Sequence, residues 1–286
     1  MRSNSLNHFK SIFAFNFFVK PADNNYYLAR WTRINGLSED FFWQCQQALE
    51  KYLKASLIVN DVPAKKQKHD LSLLYETHVD TFGSLALENF EKPDRLPIER
   101  WRKESVPAFI RRINSCGAPD SRYGLVSWYC FSDDLFKLDQ LVFSLRRLSI
   151  GLDWIVGDDW VAPERLLPWK GQSFRAALEQ EANIQIRSAI EVPETPSNVA
   201  GERVSDALYS WNFALARSDR DLERLAPISL SAPFGPMRNS YLYLLWEYLQ
   251  SPSSRDDPYV SDGVEWLIKN VSVGKDTANA LESCLK

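Results

Sequence analysis

The residues best suited to chemistry fall within one short region of the chain. Lys51 and Lys54 stand on a helix-like run, Lys65, Lys66 and Lys68 follow in a polar stretch, and His69-Asp70 opens the next apolar-periodic segment. Lysines just ahead of a helix N-terminus suit an anion, because the free first-turn amides and the helix dipole add to their charge. A histidine beside them suits proton transfer near neutral pH. The same residues also have a plainer reading: solvated lysines in a loop, with Asp70 as helix cap and the His69 ring against the preceding helix. His78 shares a face with Leu71 and Leu74 and reads as a core histidine. Asp120, Arg122 and Tyr123 cluster in GAPDSRYG between two glycines, as a structural Asp–Arg pair or a ligand-binding loop. The run ERWRKESVPAFIRR interleaves Arg100, Arg102, Lys103, Arg111 and Arg112 with Trp101 and Phe109. That composition suits a single-stranded nucleic acid, and equally an ordinary charged helix surface.

Other chemistry finds little support. There is no glycine-rich phosphate loop and no nucleophile elbow, and the acidic residues form no recognisable catalytic pair. The cysteines, Cys45, Cys116, Cys130 and Cys284, form no CxxC pair, and with three histidines they offer no zinc spacing. Free thiols in a reducing cytoplasm are expected, with no metal or cofactor. The run SIFAFNFFV, residues 11–19, faintly resembles a signal peptide, but it is short and leads into Lys20-Pro21 without a small-residue cleavage site. No stretch reaches the eighteen or so apolar residues of a membrane span. A net charge of −3 argues against a surface that binds nucleic acid everywhere, while leaving room for a local basic patch.

These residues need a scaffold, and the composition provides one. The 286 residues are 45% hydrophobic, with ten Trp, eleven Tyr and sixteen Phe, ample for a substantial core. NNYYLARWTRIN predicts a helix with Asp23 or Asn24 as cap and Gly36 as stop. A longer helix starts near Ser38. Its apolar positions, Phe41, Phe42, Cys45, Ala48, Leu49, Tyr52, Leu53, Ala55 and Val59, cover more than a single stripe, so it lies inside a bundle. Asp70 caps a third helix, residues 86–105 read as a proline-punctuated loop, and VPAFIRRIN as a short helix. LVSWYCF is ambiguous between strand and helix. A second central helix begins at Ser132-Asp133 and runs through LFKLDQLVFSLRRLSIGLDW. Beyond residue 158 the pattern weakens: NIQIRSAIEV alternates like a strand, ALYSWNFALA is its partner strand or a helix, and NSYLYLLWEYLQ and VSDGVEWLIKNV read as closing helices.

The stretch QQALEKYLKASLIVND followed by HDLSLLYE resembles the HEPN family, the "higher eukaryotes and prokaryotes nucleotide-binding" helical domain. Gln47, Ala48, Glu50, Lys51, Leu53, Lys54 and Ala55, then His69, Asp70 and Leu71, carry the likeness. ADNNYYLARWTRINGLSEDFFW is similar to the family's first helix, and DLFKLDQLVFSLRR to a later helix of larger bacterial members. The resemblance is specific over about residues 22–80. It implies an up-and-down helical bundle that dimerises, and roles as ribonuclease, as partner of a nucleotidyltransferase, or as an RNA- or nucleotide-binding module. The family's ribonucleases use an arginine followed after four to six residues by a histidine. No arginine precedes His69 or His78 at that spacing, and Arg2 with His8 lies outside the matching helices.

The expectation is therefore a mainly α protein in three parts: a tail over 1–20, a HEPN-like bundle over 21–155, and a helical extension over 156–286 with a short β-hairpin. Its expected function is that of a non-catalytic, dimeric, cytoplasmic module in a defence or toxin–antitoxin type of system. It would bind RNA, a nucleotide or a protein partner such as a nucleotidyltransferase. The ligand-binding candidates are Lys51, Lys54, Lys65, Lys66, Lys68, His69, Arg122 and Tyr123, with Asp70 a structural cap. The alternatives are a ribonuclease using Lys68 and His69, and a structural dimerisation scaffold.

Overall fold

The computed structural model describes residues 4–65, 67–93, 96–119, 128–158, 164–181, 228–230, 240–271 and 273–285. The fold is a mainly helical bundle around α3 (Ser38–Val59). Fourteen of its twenty-two residues are buried, more than one face of a helix, because neighbours pack on it from several sides. Fully buried Phe41, Phe42, Leu49 and Tyr52 each contribute about 1.5–3 kcal/mol of burial. Around α3 stand α1 (Asn4–Ala14), α2 (Lys20–Ile34), α4 (Leu71–Phe82), α5 (Val106–Cys116) and α6 (Asp134–Arg147).

The N-terminal segment differs from the expected tail. Residues 4–14 form α1, and Phe15–Val19 form a π-helical turn in which the Lys20 N–H donates to the Phe15 carbonyl. Ala14 and Val19 are buried and Phe15 and Phe18 pack against the main core, so this apolar run folds onto α3 rather than trailing from it. As a result α2 begins at Lys20 with Pro21 in its first turn, and neither Asp23 nor Asn24 caps it. Asp23 instead accepts hydrogen bonds from the Tyr52 hydroxyl and from Arg146 at 3.0 and 3.1 Å, tying α2 to α3 and α6. Asp139 of α6 receives Tyr26 and Arg30 of α2 in the same way. Gly36 does stand just past the end of α2, at φ +79°, which a side chain would resist.

α6 ends at Arg147, earlier than the periodicity predicts. Leu148, Ile150, Leu152 and Trp154 stay buried but along a bent chain, and Gly151 lies flat against the Trp154 ring where no Cβ would fit. The main core continues through Val156, Leu166 and α7 (Phe174–Gln180), so the boundary expected at residue 155 falls inside it.

LVSWYCF resolves in part as β1 (Tyr129–Phe131), paired antiparallel with β2 (Ile228–Leu230), Tyr129 opposite Leu230 and Phe131 opposite Ile228. This pairing joins segments far apart in the chain. The segments expected to form that hairpin, NIQIRSAIEV and ALYSWNFALA, lie outside the described residues. A second, separate apolar cluster of Leu242, Leu249, Val264, Val273 and Leu281 holds α8 (Ser240–Tyr248), α10 (Pro258–Asn270) and α11 (Lys275–Leu285), with the short α9 (Pro252–Arg255) between.

Candidate functional site

The loop between α3 and α4 turns the spacing of the lysines into a site. Asp70 caps α4, its carboxylate accepting the amides of Ser72 at 2.9 Å and Leu73 at 3.3 Å. Just before it Lys68 takes φ +50°, an uncommon conformation for a residue with a side chain. The result is an open cavity of about 550 Å³ lined by Phe18, Lys54, Ile58, Pro63, Ala64, Lys65, Lys68 and His69. Its floor is apolar and its rim carries amines.

At the rim, His69 Nδ1 lies 2.9 Å from Glu50 Oε1, and Lys54 Nζ lies 2.6 Å from the same oxygen. A carboxylate oxygen accepts here, so the His69 ring donates from Nδ1. Glu50 is buried and the His69 side chain is 82% exposed. The ring therefore touches the central helix through one hydrogen bond, not through packing. Glu50 offsets Lys54, while Lys65 and Lys68 have no ion-pair partner among the described residues.

Lys51 does not join this site. Its Nζ donates to Asn25 Oδ1 at 3.0 Å and Gln47 Oε1 at 2.9 Å, between α2 and α3. Burial lowers its pKa, more than the charge of Glu50 raises it. Lys66, Arg122 and Tyr123 lie outside the described residues, as does Asp120.

The basic and aromatic run at 100–112 supplies a buried ion cluster, which sequence reading missed. Arg112 grips Asp134 with two hydrogen bonds, 2.6 and 3.0 Å, and Glu104 with two more, 2.9 and 3.0 Å. Lys137, fully buried, lies 3.0 Å from Glu104 and 2.9 Å from Asp133. Arg102 reaches Glu104 and Asp134 and stacks its guanidinium 3.2 Å from the Phe131 ring centroid. Three cations meet three carboxylates, so the cluster is neutral and holds α5, β1 and α6 together. Burial pushes the Glu104 carboxyl up, but the hydrogen bonds and charge of Arg112, with Lys137, outweigh it and hold it near 2. The legible sign was Lys137 within the apolar run of α6, four residues after Asp133.

His78 is fully buried, with Nδ1 3.0 Å from the Ser56 hydroxyl and its ring 4.3 Å from that of Phe82. Burial, aided by the Arg147 charge, lowers its pKa to about 3. It is a neutral core histidine.

Among the described residues no helix is long and apolar enough to cross a membrane, and no group of three or more His, Cys, Asp or Glu is placed to hold a metal ion. The four cysteines are free thiols. Compared with known proteins, the chain matches no family model, no curated protein and no solved structure.

Proposed function

We propose that this protein is a non-catalytic, HEPN-like binding module whose ligand is RNA, held through its phosphates at the lysine rim of the α3–α4 loop. The observation that carries this reading is the convergence of Lys54, Lys65, Lys68 and His69 on one cavity, with Glu50 offsetting a single amine. Two amines remain free for an anion, beside apolar walls that suit a base. Among the described residues the lining carries lysines and a histidine beside apolar side chains, a set suited to holding an anion. The resemblance around Glu50, Lys54 and His69-Asp70 favours the same family of roles. Under this reading the module works as a cytoplasmic homodimer, beside a partner such as a nucleotidyltransferase in a defence or toxin–antitoxin type of system.

The test measures RNA affinity across a salt series, with a cleavage assay on the same samples. Each phosphate neutralised on a single strand contributes about 0.7 to the slope of log affinity against log salt. Lys65→Ala and Lys68→Ala should each flatten it by up to about that amount. An unchanged slope in the double variant would remove the lysine site. RNA cleavage that disappears in His69→Ala would make the protein a ribonuclease instead.

A further inference from the structure

The aromatic face of the N-terminal helix continues the lysine-rimmed cavity. Phe9, Phe13 and Phe17 recur every four residues along α1 into the π-turn, and they are 65%, 39% and 64% exposed. Their rings form a row: Phe9 to Phe13 is 6.3 Å between centroids and Phe13 to Phe17 is 4.5 Å, each pair within 18° of parallel. Phe13 also meets Phe18 edge-on at 6.1 Å, and Phe18 is a wall of the cavity. Adjacent residues of the π-turn point different ways, Phe17 exposed along the row and Phe18 lining the cavity. Turns of this kind are frequent at functional sites. One surface thus runs from the exposed outer rings of the row to a cavity lined by Lys65 and Lys68.

Resting on the reading above, we infer that this surface is a track for a single nucleic-acid strand, with unpaired bases stacked on the outward faces of Phe9 and Phe17, Phe13 filling the row between them, and the phosphates drawn to Lys65 and Lys68. The occupant follows from what each candidate would leave unsatisfied. An apolar helix would cover the rings but bring no counter-charge to the two amines. An anionic membrane surface needs a cationic polar face on the helix. Asn4–Ala14 contains one lysine, Lys10, and it is bound to Asp61 at 2.8 Å. A duplex offers phosphates while its base faces are stacked inside. An unpaired strand supplies ring faces and negative charge together, the pairing that single-strand binders use, and stacking contributes about 1–3 kcal/mol per base.

Fluorescence anisotropy with a short labelled oligouridine, the matching uridine–adenine duplex and uridine monophosphate as competitor tests the inference. The single strand should bind at least about tenfold more tightly than the duplex, and the mononucleotide should compete weakly. The variant F9L/F13L/F17L keeps apolar bulk but removes flat rings. It should lose about tenfold or more in single-strand affinity, with the salt slope and the melting temperature close to the parent's. Equal affinity for strand and duplex, or a leucine variant that binds like the parent, would overturn the track and leave the lysine site standing. If none of the three probes binds, the RNA reading itself fails. If F13D turns a dimer into a monomer in light scattering while single-strand affinity holds, the row is an interface between copies and the inference is wrong.

Discussion

His69 Nδ1 lies 2.9 Å from Glu50 Oε1, joining the loop before α4 to the buried edge of α3 across nineteen residues of sequence. The imidazole is 82% exposed, so the contact is screened by solvent and adds little to stability. His69→Ala should lower the melting temperature by no more than about 2 °C in a circular dichroism scan. A drop like that of a core truncation would show that the ring carries packing instead.

Lys68 sits at φ +50° between the loop and the cap of α4. A non-glycine residue there costs roughly 1–2 kcal/mol, and glycine returns roughly 0.5–1 of that as lost chain entropy. Lys68→Gly should therefore stabilise the fold by up to about 1 kcal/mol in urea titration while weakening RNA binding. A destabilised variant would mean that the stem of Lys68 packs more than its exposure implies.

Acid sensitivity should arrive in two windows. The His78 pKa falls from an ordinary value near 6.5 to about 3 in the folded state. Above 6.5 folded and unfolded forms are both neutral there, and as the pH drops from 6.5 toward 3 only the unfolded chain gains the proton. Glu104, lowered from 4.5 to about 2, contributes stability above 4.5 that is lost as the pH falls toward 2. Urea midpoints should decline from mildly acidic pH onward, and His78→Gln, though weaker at neutrality, should show a shallower decline above pH 4.5. An identical slope in the variant would assign the sensitivity to other groups.

The cluster at Arg112 has all-or-none energetics. Removing one member of a buried charge network leaves its partners uncompensated and costs about 3–5 kcal/mol. Arg112→Met should fall in that range, since Asp134 is fully buried and, among the described residues, would keep only the 3.3 Å contact to Arg102 as an ion pair. R112M/D134N should recover part of the loss, because Asn keeps an acceptor for the Phe131 N–H at 2.7 Å while removing the orphan charge. A double variant weaker than R112M alone would show that the Asp134 charge has another role.

Much of this protein was legible locally. The period of Phe41, Cys45, Ala48, Tyr52 and Ala55 gave α3 and its central place, and Asp70 ahead of Leu71 gave the start of α4 with its cap. Such signals depend on residues within a turn or two of each other, so the chain itself specifies them. The clustering of Lys65, Lys68 and His69 was visible for the same reason. Contacts across long separations were not. Asp23 looked like a cap by its place near a helix start, yet Tyr52 and Arg146 claim its carboxylate from 29 and 123 residues away. Arg102 and Arg112 looked like surface charge until Asp133, Asp134 and Lys137 arrived on α6. SIFAFNFFV carried no helical cap and read as part of a tail. Only the apolar side of α3 gives it a surface to fold on, and that packing carries Phe18 into the cavity and leaves Phe13 and Phe17 in solvent. Periodicity records which residues want to be buried, but which partners meet a buried charge or a ring is decided only when distant helices pack.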